Sequence, residues 1–147
     1  MTTPAQDAPQ RLAARDPSTP ADTLAQLATD GAEWVRCAVA GNPSTPADTL
    51  ARLASDRDEG VRCAVARNPA APAETLAQLA SDRDDIVRSN TAGNPSTPPA
   101  SLALLARGDE FVRYAVASNP STPADTLARL ASDRDEGVRE AAAQPRS

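Results

Sequence analysis

Residues 42–62 read NPSTPADTLARLASDRDEGVR, and the same letters return at residues 119–139. Diverged copies lie before, between and overlapping these two segments. The proline that opens each copy stands at position 17, 43, 69, 95 or 120, so the period is 26 residues with one step of 25. A period of this size is typical of stacked supersecondary units that share one continuous core. The sequence therefore predicts a solenoid of five repeats.

Each repeat begins with a turn and a first helix, as the second copy shows. Thr45 is a good N-cap, and Pro46 suits the first helical position, where its missing N–H costs nothing. The helix is predicted to run from residue 46 to residue 54. Leu50 and Leu53 lie on one face of it and form a narrow apolar stripe that suits packing against other helices.

A second helix follows in every repeat. Asp56 is its expected N-cap, and Glu59 is the expected capping-box partner three residues later. Asn68 precedes Pro69 and should end the helix, because the residue before a proline is pushed out of the α region. The predicted buried face has i, i+3, i+4 spacing and consists of Val61, Ala64 and Val65. Each repeat is therefore predicted to be two short helices without a strand.

The pattern Asn-Pro-x-x-Pro-x-x-x-Leu-x-x-Leu-Ala-x-Asp, followed by Val-Arg-x-x-Val-Ala, resembles the leucine-rich repeat variant family over residues 16–143. The resemblance implies an all-α fold, a right-handed α-solenoid whose repeats pair an α-helix with a short α- or 3₁₀-helix. The segment after the Asn-Pro turn would be the 3₁₀ one. Some relatives carry a cysteine-rich iron–sulfur module ahead of the repeats, and this chain has no such cysteine cluster. Asp56 and the pair Val61-Arg62 also resemble HEAT repeats, an alternative that predicts a solenoid as well.

The alignment of the copies divides the chain into three parts. Residues 1–15 are expected to form a tail and a degenerate half-repeat, because the stretch 10–16 aligns with the second helix of a missing repeat. Residues 16–144 form the five repeats, and residues 145–147 form a C-terminal tail. Terminal units of a solenoid are atypical, since one of their faces has no neighbour.

Composition excludes several classes of function. The net charge is −5 and the isoelectric point is about 4.7, which argues against general affinity for nucleic-acid backbones or anionic membranes. No run approaches the roughly 18 apolar residues that a membrane span needs. The segment 1–8 lacks the basic and apolar parts of a secretory signal. We therefore expect a cytoplasmic monomer.

The two cysteines occupy equivalent positions in successive repeats. Stacked helices lie roughly 8–10 Å apart, whereas a disulfide needs Cα atoms within about 7 Å. Cys37 and Cys63 are therefore expected to be reduced. Two thiols in a chain without histidine cannot complete a tetrahedral metal site, so we expect neither a metal nor a cofactor.

Equivalent arginines form a column along the solenoid, which we call the arginine column: Arg36, Arg62, Arg88, Arg113 and Arg139. A row of five arginines can bind phosphate groups. However, each arginine has an acid three residues earlier and a capping aspartate such as Asp56 or Asp82 nearby, which predicts neutralisation in place. The equivalent asparagines form an asparagine column and are expected to hydrogen-bond turn backbone: Asn42, Asn68, Asn94 and Asn119.

One flank of the second helix varies between otherwise similar repeats, and we call it the variable stripe. It comprises Trp34-Cys37-Gly41, Gly60-Cys63-Arg67, Ile86-Ser89-Gly93, Phe111-Tyr114-Ser118 and Gly137-Glu140-Gln144, and it holds every aromatic residue of the chain. Exposed aromatic and large apolar groups are candidate binding anchors. The alternative is that they fill irregular gaps between short helices, and the sequence leaves both open.

The third and fourth repeats depart further from the pattern. Asn90 and Thr91 replace Ala64 and Val65 of the predicted buried face, and the fourth repeat loses one residue between positions 105 and 110. A polar pair facing a core is costly unless it is hydrogen-bonded. A bend of the solenoid there would expose the pair and mark a functional centre, while drift in a tolerant array is the alternative.

Catalysis finds little support, because the chain has no histidine, no glycine-rich phosphate loop and no nucleophile motif. The first hypothesis is a non-enzymatic scaffold that binds a protein or peptide along its extended surface. Its candidate contact residues are Trp34, Ile86, Asn90, Phe111 and Tyr114. The second hypothesis is nucleic-acid binding through the arginine column.

Overall fold

A computed structural model describes residues 8–146 as a continuous array of helices joined by short turns, with no strand in that range. The expected tail at residues 1–7 and the final residue lie outside the described residues. The longer helices are α1 (Ala8–Arg15), α3 (Glu33–Gly41), α5 (Glu59–Arg67), α7 (Asp85–Gly93), α9 (Glu110–Ser118) and α11 (Glu136–Ala143). The shorter helices are α2 (Ala21–Leu27), α4 (Ala47–Leu53), α6 (Ala73–Leu79), α8 (Pro99–Leu105) and α10 (Ala124–Leu130).

Each longer helix packs against the longer helix of the next repeat, and each shorter helix contacts the longer helices on either side of it. This arrangement confirms the predicted all-α solenoid. Leucines of the shorter helices and valines of the longer ones form the core. Leu50, Val61 and Val65, for example, are completely buried. Ala64 is only half-buried and Ala66 takes its place in the core, so the predicted buried face was wrong at that position.

The shorter helices are α-helical, and 3₁₀ geometry is limited to their last turn. After α4, the amide of Ser55 donates to the carbonyl of Arg52 at 3.1 Å, and the amide of Asp56 donates to the carbonyl of Leu53 at 3.1 Å. Such i→i−3 bonds tighten a helix end and satisfy its last carbonyls. The expected 3₁₀ helix after the Asn-Pro turn is therefore an α-helix of seven residues that ends in a 3₁₀ turn.

The predicted N-cap of the shorter helix was wrong. Pro46 occupies the N-cap position, and no side chain caps α4. Thr45 is buried, and its hydroxyl donates to the carbonyl of Val39 at 2.6 Å. The hydroxyl satisfies the end of the preceding longer helix, which leaves it unavailable to the helix that follows.

The N-cap of the longer helix lies two residues later than predicted. Asp58 caps α5, and its carboxylate accepts a hydrogen bond from the amide of Val61 at 3.1 Å. Glu59 is thus the first helical residue instead of a capping-box partner. Asp56 accepts the amide of Asp58 at 3.0 Å and binds an arginine of the neighbouring repeat. The two aspartates thus have different roles: Asp58 caps the helix, and Asp56 joins the turn to the neighbouring repeat.

The polar pair of the third repeat does not mark an exposed bend. Thr91 is completely buried, and its hydroxyl donates to the carbonyl of Val87 at 2.8 Å. Asn90 is half-buried, and its amide donates to the carbonyl of Ile86 at 2.9 Å. Each side chain is satisfied within its own helix, so the solenoid keeps its core intact at this repeat.

The asparagine column joins the repeats, which confirms and extends the predicted role of these residues. Asn68 ends α5, and its Oδ1 accepts the amide of Ala70 at 2.9 Å within its own turn. Its Nδ2 donates to the carbonyl of Ala40 at 2.7 Å and to that of Asn42 at 3.0 Å, at the end of the preceding longer helix α3. Near the other end, the guanidinium of Arg146 donates in the same way to the carbonyls of Ala117 and Asn119.

Candidate binding surface

Three members of the arginine column are buried in ion pairs between repeats. Each guanidinium binds both carboxylate oxygens of an aspartate twenty residues later in the chain, which belongs to the next repeat. The Nε to Oδ2 distances are 2.7 Å for Arg36–Asp56, 2.8 Å for Arg62–Asp82 and 2.8 Å for Arg113–Asp133. The predicted neutralisation is confirmed, although the partner is this aspartate and not the acid three residues earlier.

The geometry of these pairs removes the arginines from the surface. Arg36, Arg62 and Arg113 are only 5–7% exposed. The hydrogen bond from Arg62 to Asp82 raises the pKa of Arg62 above its usual value, against the opposing effect of burial. A buried guanidinium whose Nε and Nη2 already bind a carboxylate cannot present that fork to a phosphate. Arg88 and Arg139 lack such an aspartate among residues 8–146.

The variable stripe holds three large exposed apolar side chains in the third and fourth repeats. Phe111 is 71% exposed, Ile86 61% and Tyr114 52%. Ile86 and Phe111 occupy equivalent positions on the neighbouring helices α7 and α9, and Tyr114 lies one turn after Phe111. These three residues therefore lie on the same flank of two neighbouring helices, and we call them the apolar patch.

Trp34 and Asn90 contribute less to this surface than the sequence suggested. Trp34 is half-buried and packs against the core, where it lines a groove of about 360 Å³ with Arg11, Arg15 and Cys37 among other residues. Of the two alternatives that the sequence left open, the structure of Trp34 fits gap filling. Asn90 is half-buried as well.

The variable stripe continues from one repeat to the next. The thiol of Cys37 lies 3.7 Å from the carbonyl oxygen of Gly60 in the second repeat. A Cβ atom placed on Gly137 would lie 3.9 Å from a ring carbon of Tyr114 in the fourth repeat. Glycine at positions 60 and 137 therefore leaves the stripe shallow on either side of the apolar patch.

Comparison with known proteins agrees with this architecture. A family model described as a leucine-rich repeat variant matches residues 33–58 and 59–84, and one described as a leucine-rich repeat variant domain matches residues 87–146. The chain belongs to the leucine-rich repeat variant family. A comparison with curated proteins finds no match.

Two solved structures resemble this leucine-rich repeat variant chain. One is described as a leucine-rich repeat variant with a novel repetitive protein structural motif, and it is 29% identical with a TM-score of 0.70. The match covers 99% of the present chain and 63% of the other, so this chain spans less than two thirds of that relative's length. The second is an engineered protein, 19% identical, with a TM-score of 0.53 over 93% of this chain and 87% of the other. At that identity the second likeness concerns the fold alone.

Two further exposed leucines of the leucine-rich repeat variant solenoid were missed by sequence reasoning. Leu104 on α8 is 50% exposed, and Leu12 on α1 is 71% exposed. Leu104 stands where the equivalent helices α4 and α6 carry Arg52 and Gln78, and comparison of that column would have identified it. Leu12 is exposed on the first helix that the structure describes.

None of the helices within residues 8–146 has the length and apolar character needed to cross a membrane.

Proposed function

We propose that this chain is a non-enzymatic scaffold that binds a protein or peptide through the variable stripe, centred on Ile86, Phe111 and Tyr114. The observation that carries the proposal is the exposure of these three side chains on adjacent repeats. Rigid aromatic side chains lose little conformational entropy on binding and are enriched among the residues that dominate interface energies.

The fold itself gives no reason for large side chains at these positions. Gly60 and Gly137 occupy the position of Ile86 and Phe111 in the second and fifth repeats, and those repeats have the same helices and the same caps. Because a glycine suffices there for folding, a solvent-exposed isoleucine and phenylalanine point to a contact outside the chain. The gap-filling alternative fits Trp34, which packs against the core, and does not fit Phe111.

The rim of the apolar patch suggests which partner would bind. Asp85 and Glu110 are exposed and immediately precede Ile86 and Phe111, and Glu140 is exposed at the equivalent of Tyr114 in the next repeat. An acidic rim around an apolar patch favours a segment with basic residues on either side of apolar ones. Since α7 and α9 are neighbouring helices, about 8–10 Å apart, a short segment crossing both would reach all three anchors. We expect the solenoid to bind it as a monomer.

Nucleic-acid binding through the arginine column finds no support in the geometry. The guanidiniums of Arg36, Arg62 and Arg113 are buried and already bound to aspartates. A protein that binds a nucleic-acid backbone needs accessible cations that can replace counterions.

Capture from a native cell lysate tests the proposal when it is tied to matched variants. The bait proteins are the wild type, Phe111→Ala, Tyr114→Ala and Leu12→Ala, the last as a control because Leu12 is as exposed as Phe111 at 71% but lies on the first helix. We expect a partner to be retained by the wild type and the Leu12 variant and depleted on both aromatic variants. Equal retention by all four proteins would remove the variable stripe as the binding surface.

A further inference from the structure

The arginine column is interrupted at Arg88 in the third repeat. In the other internal repeats, the arginine binds an aspartate twenty residues later in the chain. Twenty residues after Arg88 stands Gly108, because the fourth repeat is one residue shorter and reads Ala-Arg-Gly-Asp where the second reads Ala-Ser-Asp-Arg-Asp. The deletion therefore removes the carboxylate while the arginine that binds it is kept.

Arg88 retains only the part of the arrangement that belongs to its own repeat. Its Nη1 donates to the carbonyl of Asp82 at 2.6 Å, as Arg62 does to the carbonyl of Asp56 at 2.8 Å. Its Nε and Nη2, which bind the carboxylate in the equivalent arginines, have no hydrogen-bond partner within residues 8–146. The acid next to Gly108, Asp109, caps α9 by accepting the amide of Val112 at 3.0 Å.

A cavity of about 280 Å³ opens beside Arg88. Its lining combines the two cations Arg88 and Arg107 with the apolar side chains of Leu104, Leu105 and Val112. Leu104 is half exposed at the edge of this cavity. Arg88 is half-buried, in contrast to the nearly complete burial of Arg62 and Arg113, so its guanidinium is accessible from outside.

We propose that Arg88, assisted by Arg107, binds the carboxylate of an aspartate or glutamate side chain from a partner protein, in the geometry that Asp82 adopts on Arg62. The chain itself supplies the template, since three equivalent guanidiniums bind a carboxylate through Nε and Nη2. A planar carboxylate matches the fork of an arginine side chain, and Leu104 offers an apolar contact for the residue beside the acid.

This site is separate from the variable stripe. Arg88 and Ile86 lie two residues apart on α7, which places them about 200° apart around the helix. A partner that inserts an acid beside Arg88 would contact the side of the solenoid that carries α8. The chain can therefore hold two segments of opposite charge on two of its sides.

The test uses a blocked tripeptide, acetyl-Leu-Asp-Leu-amide, and its Asn counterpart as probes of the folded protein. The arginine Nε–H signals are followed by NMR, and the signal of Arg88 is assigned by its loss in Arg88→Gln. We expect a saturable shift of this signal with the Asp peptide and at least about tenfold weaker binding of the Asn peptide. Phe111→Ala should bind the Asp peptide normally, which separates this site from the variable stripe.

A second variant keeps Arg88 and restores the missing acid. In it, residues 107–109 are replaced by the four residues Ser-Asp-Arg-Asp of the second repeat, so that an internal aspartate can occupy the cavity. We expect this variant to fold and to lose binding of the Asp peptide. Equal binding of the Asp and Asn peptides, or unchanged binding by the restored variant, would overturn the proposal. Tighter binding of inorganic phosphate than of the Asp peptide would overturn the assignment to a carboxylate.

Discussion

Arg62 in the second repeat and Asp82 in the third form a two-point ion pair, with Nε 2.8 Å from Oδ2 and Nη2 3.2 Å from Oδ1. Both side chains are less than a tenth exposed. Each repeat of a solenoid contacts only its neighbours, so a contact of this kind contributes directly to the interface energy between two repeats. The arginine column is thus a structural device in three repeats and becomes available for binding only where the aspartate is missing.

Removal of one partner from this ion pair should be strongly destabilising. Asp82→Ala leaves the charge of Arg62 buried without a counterion, and we expect the free energy of unfolding to fall by about 3–5 kcal/mol. Arg57→Ala removes an exposed charge nearby and should change it by less than about 0.5 kcal/mol. Urea unfolding followed by circular dichroism measures the free energy of unfolding of the two variants. Equal effects would mean that the buried pair has no structural task.

The same aspartates should set how stability depends on pH. Burial raises the pKa of Asp82, but the ion pair with Arg62 and the amide of Asp84 lower it further, so that it lies below its ordinary value of 3.8. The ionised form therefore stabilises the fold fully above that value, and this stability is lost as the pH falls through the folded-state pKa. We expect unfolding midpoints to stay level from about pH 7 to pH 5 and to drop below about pH 4. The drop should be shallower in Asp82→Ala, and an identical drop would contradict the assignment.

The asparagine column should matter more than exposed contacts of similar chemistry. Asn68 is 1% exposed and makes three hydrogen bonds to backbone, so Asn68→Ala leaves buried groups unsatisfied and should cost about 1–3 kcal/mol. Gln78 also bridges two repeats, through a 3.0 Å bond to the hydroxyl of Ser55, but it is exposed. Gln78→Ala should cost less than about 0.5 kcal/mol. If the two variants unfold at the same urea concentration, the asparagine column does not stabilise the contact between repeats.

The buried hydroxyl of Thr91 should contribute little to the stability of the fold. Thr91→Val restores the residue found at the equivalent positions 39, 65 and 116, and the hydroxyl bond that it removes lies within one helix. We expect the free energy of unfolding to stay the same or to rise by up to about 1 kcal/mol. The reverse change in the second repeat, Val65→Thr, should lower it by about 1–2 kcal/mol. A clear loss of stability in Thr91→Val would show that the hydroxyl has a role of its own.

The sequence predicted the features that recur in every repeat and missed the side-chain contacts between neighbouring repeats. The period, the two helices and the end of α3, α5, α7 and α9 at an asparagine followed from local rules at positions such as Asn68 and Pro69. The role of Asp56 did not, because Asp58 caps the helix and Asp56 binds Arg36 of the preceding repeat. That contact spans twenty residues, and nothing in the local pattern reveals it.

The candidate surface was predicted only in part for the same reason. Helical spacing placed Ile86, Phe111 and Tyr114 on one flank and left open whether they are exposed or fill gaps, and in the structure they are exposed. Trp34 obeys the same spacing but packs against the core and lines a groove beside Arg11 and Arg15 of α1, a contact with the preceding helix that helical spacing does not reveal. Their role in binding stays a prediction, as does the cytoplasmic location.

The most direct test of the binding surface is the affinity of Phe111→Ala, per folded molecule, for the partner that the wild type captures. If Phe111 anchors the partner, we expect this variant to lose about 1–3 kcal/mol of binding free energy, which is roughly 5- to 150-fold in affinity. We also expect the free energy of unfolding of the same variant to change by less than about 0.5 kcal/mol. If the variant unfolds easily while its folded fraction binds as tightly as the wild type, Phe111 is a packing residue and does not belong to the binding surface.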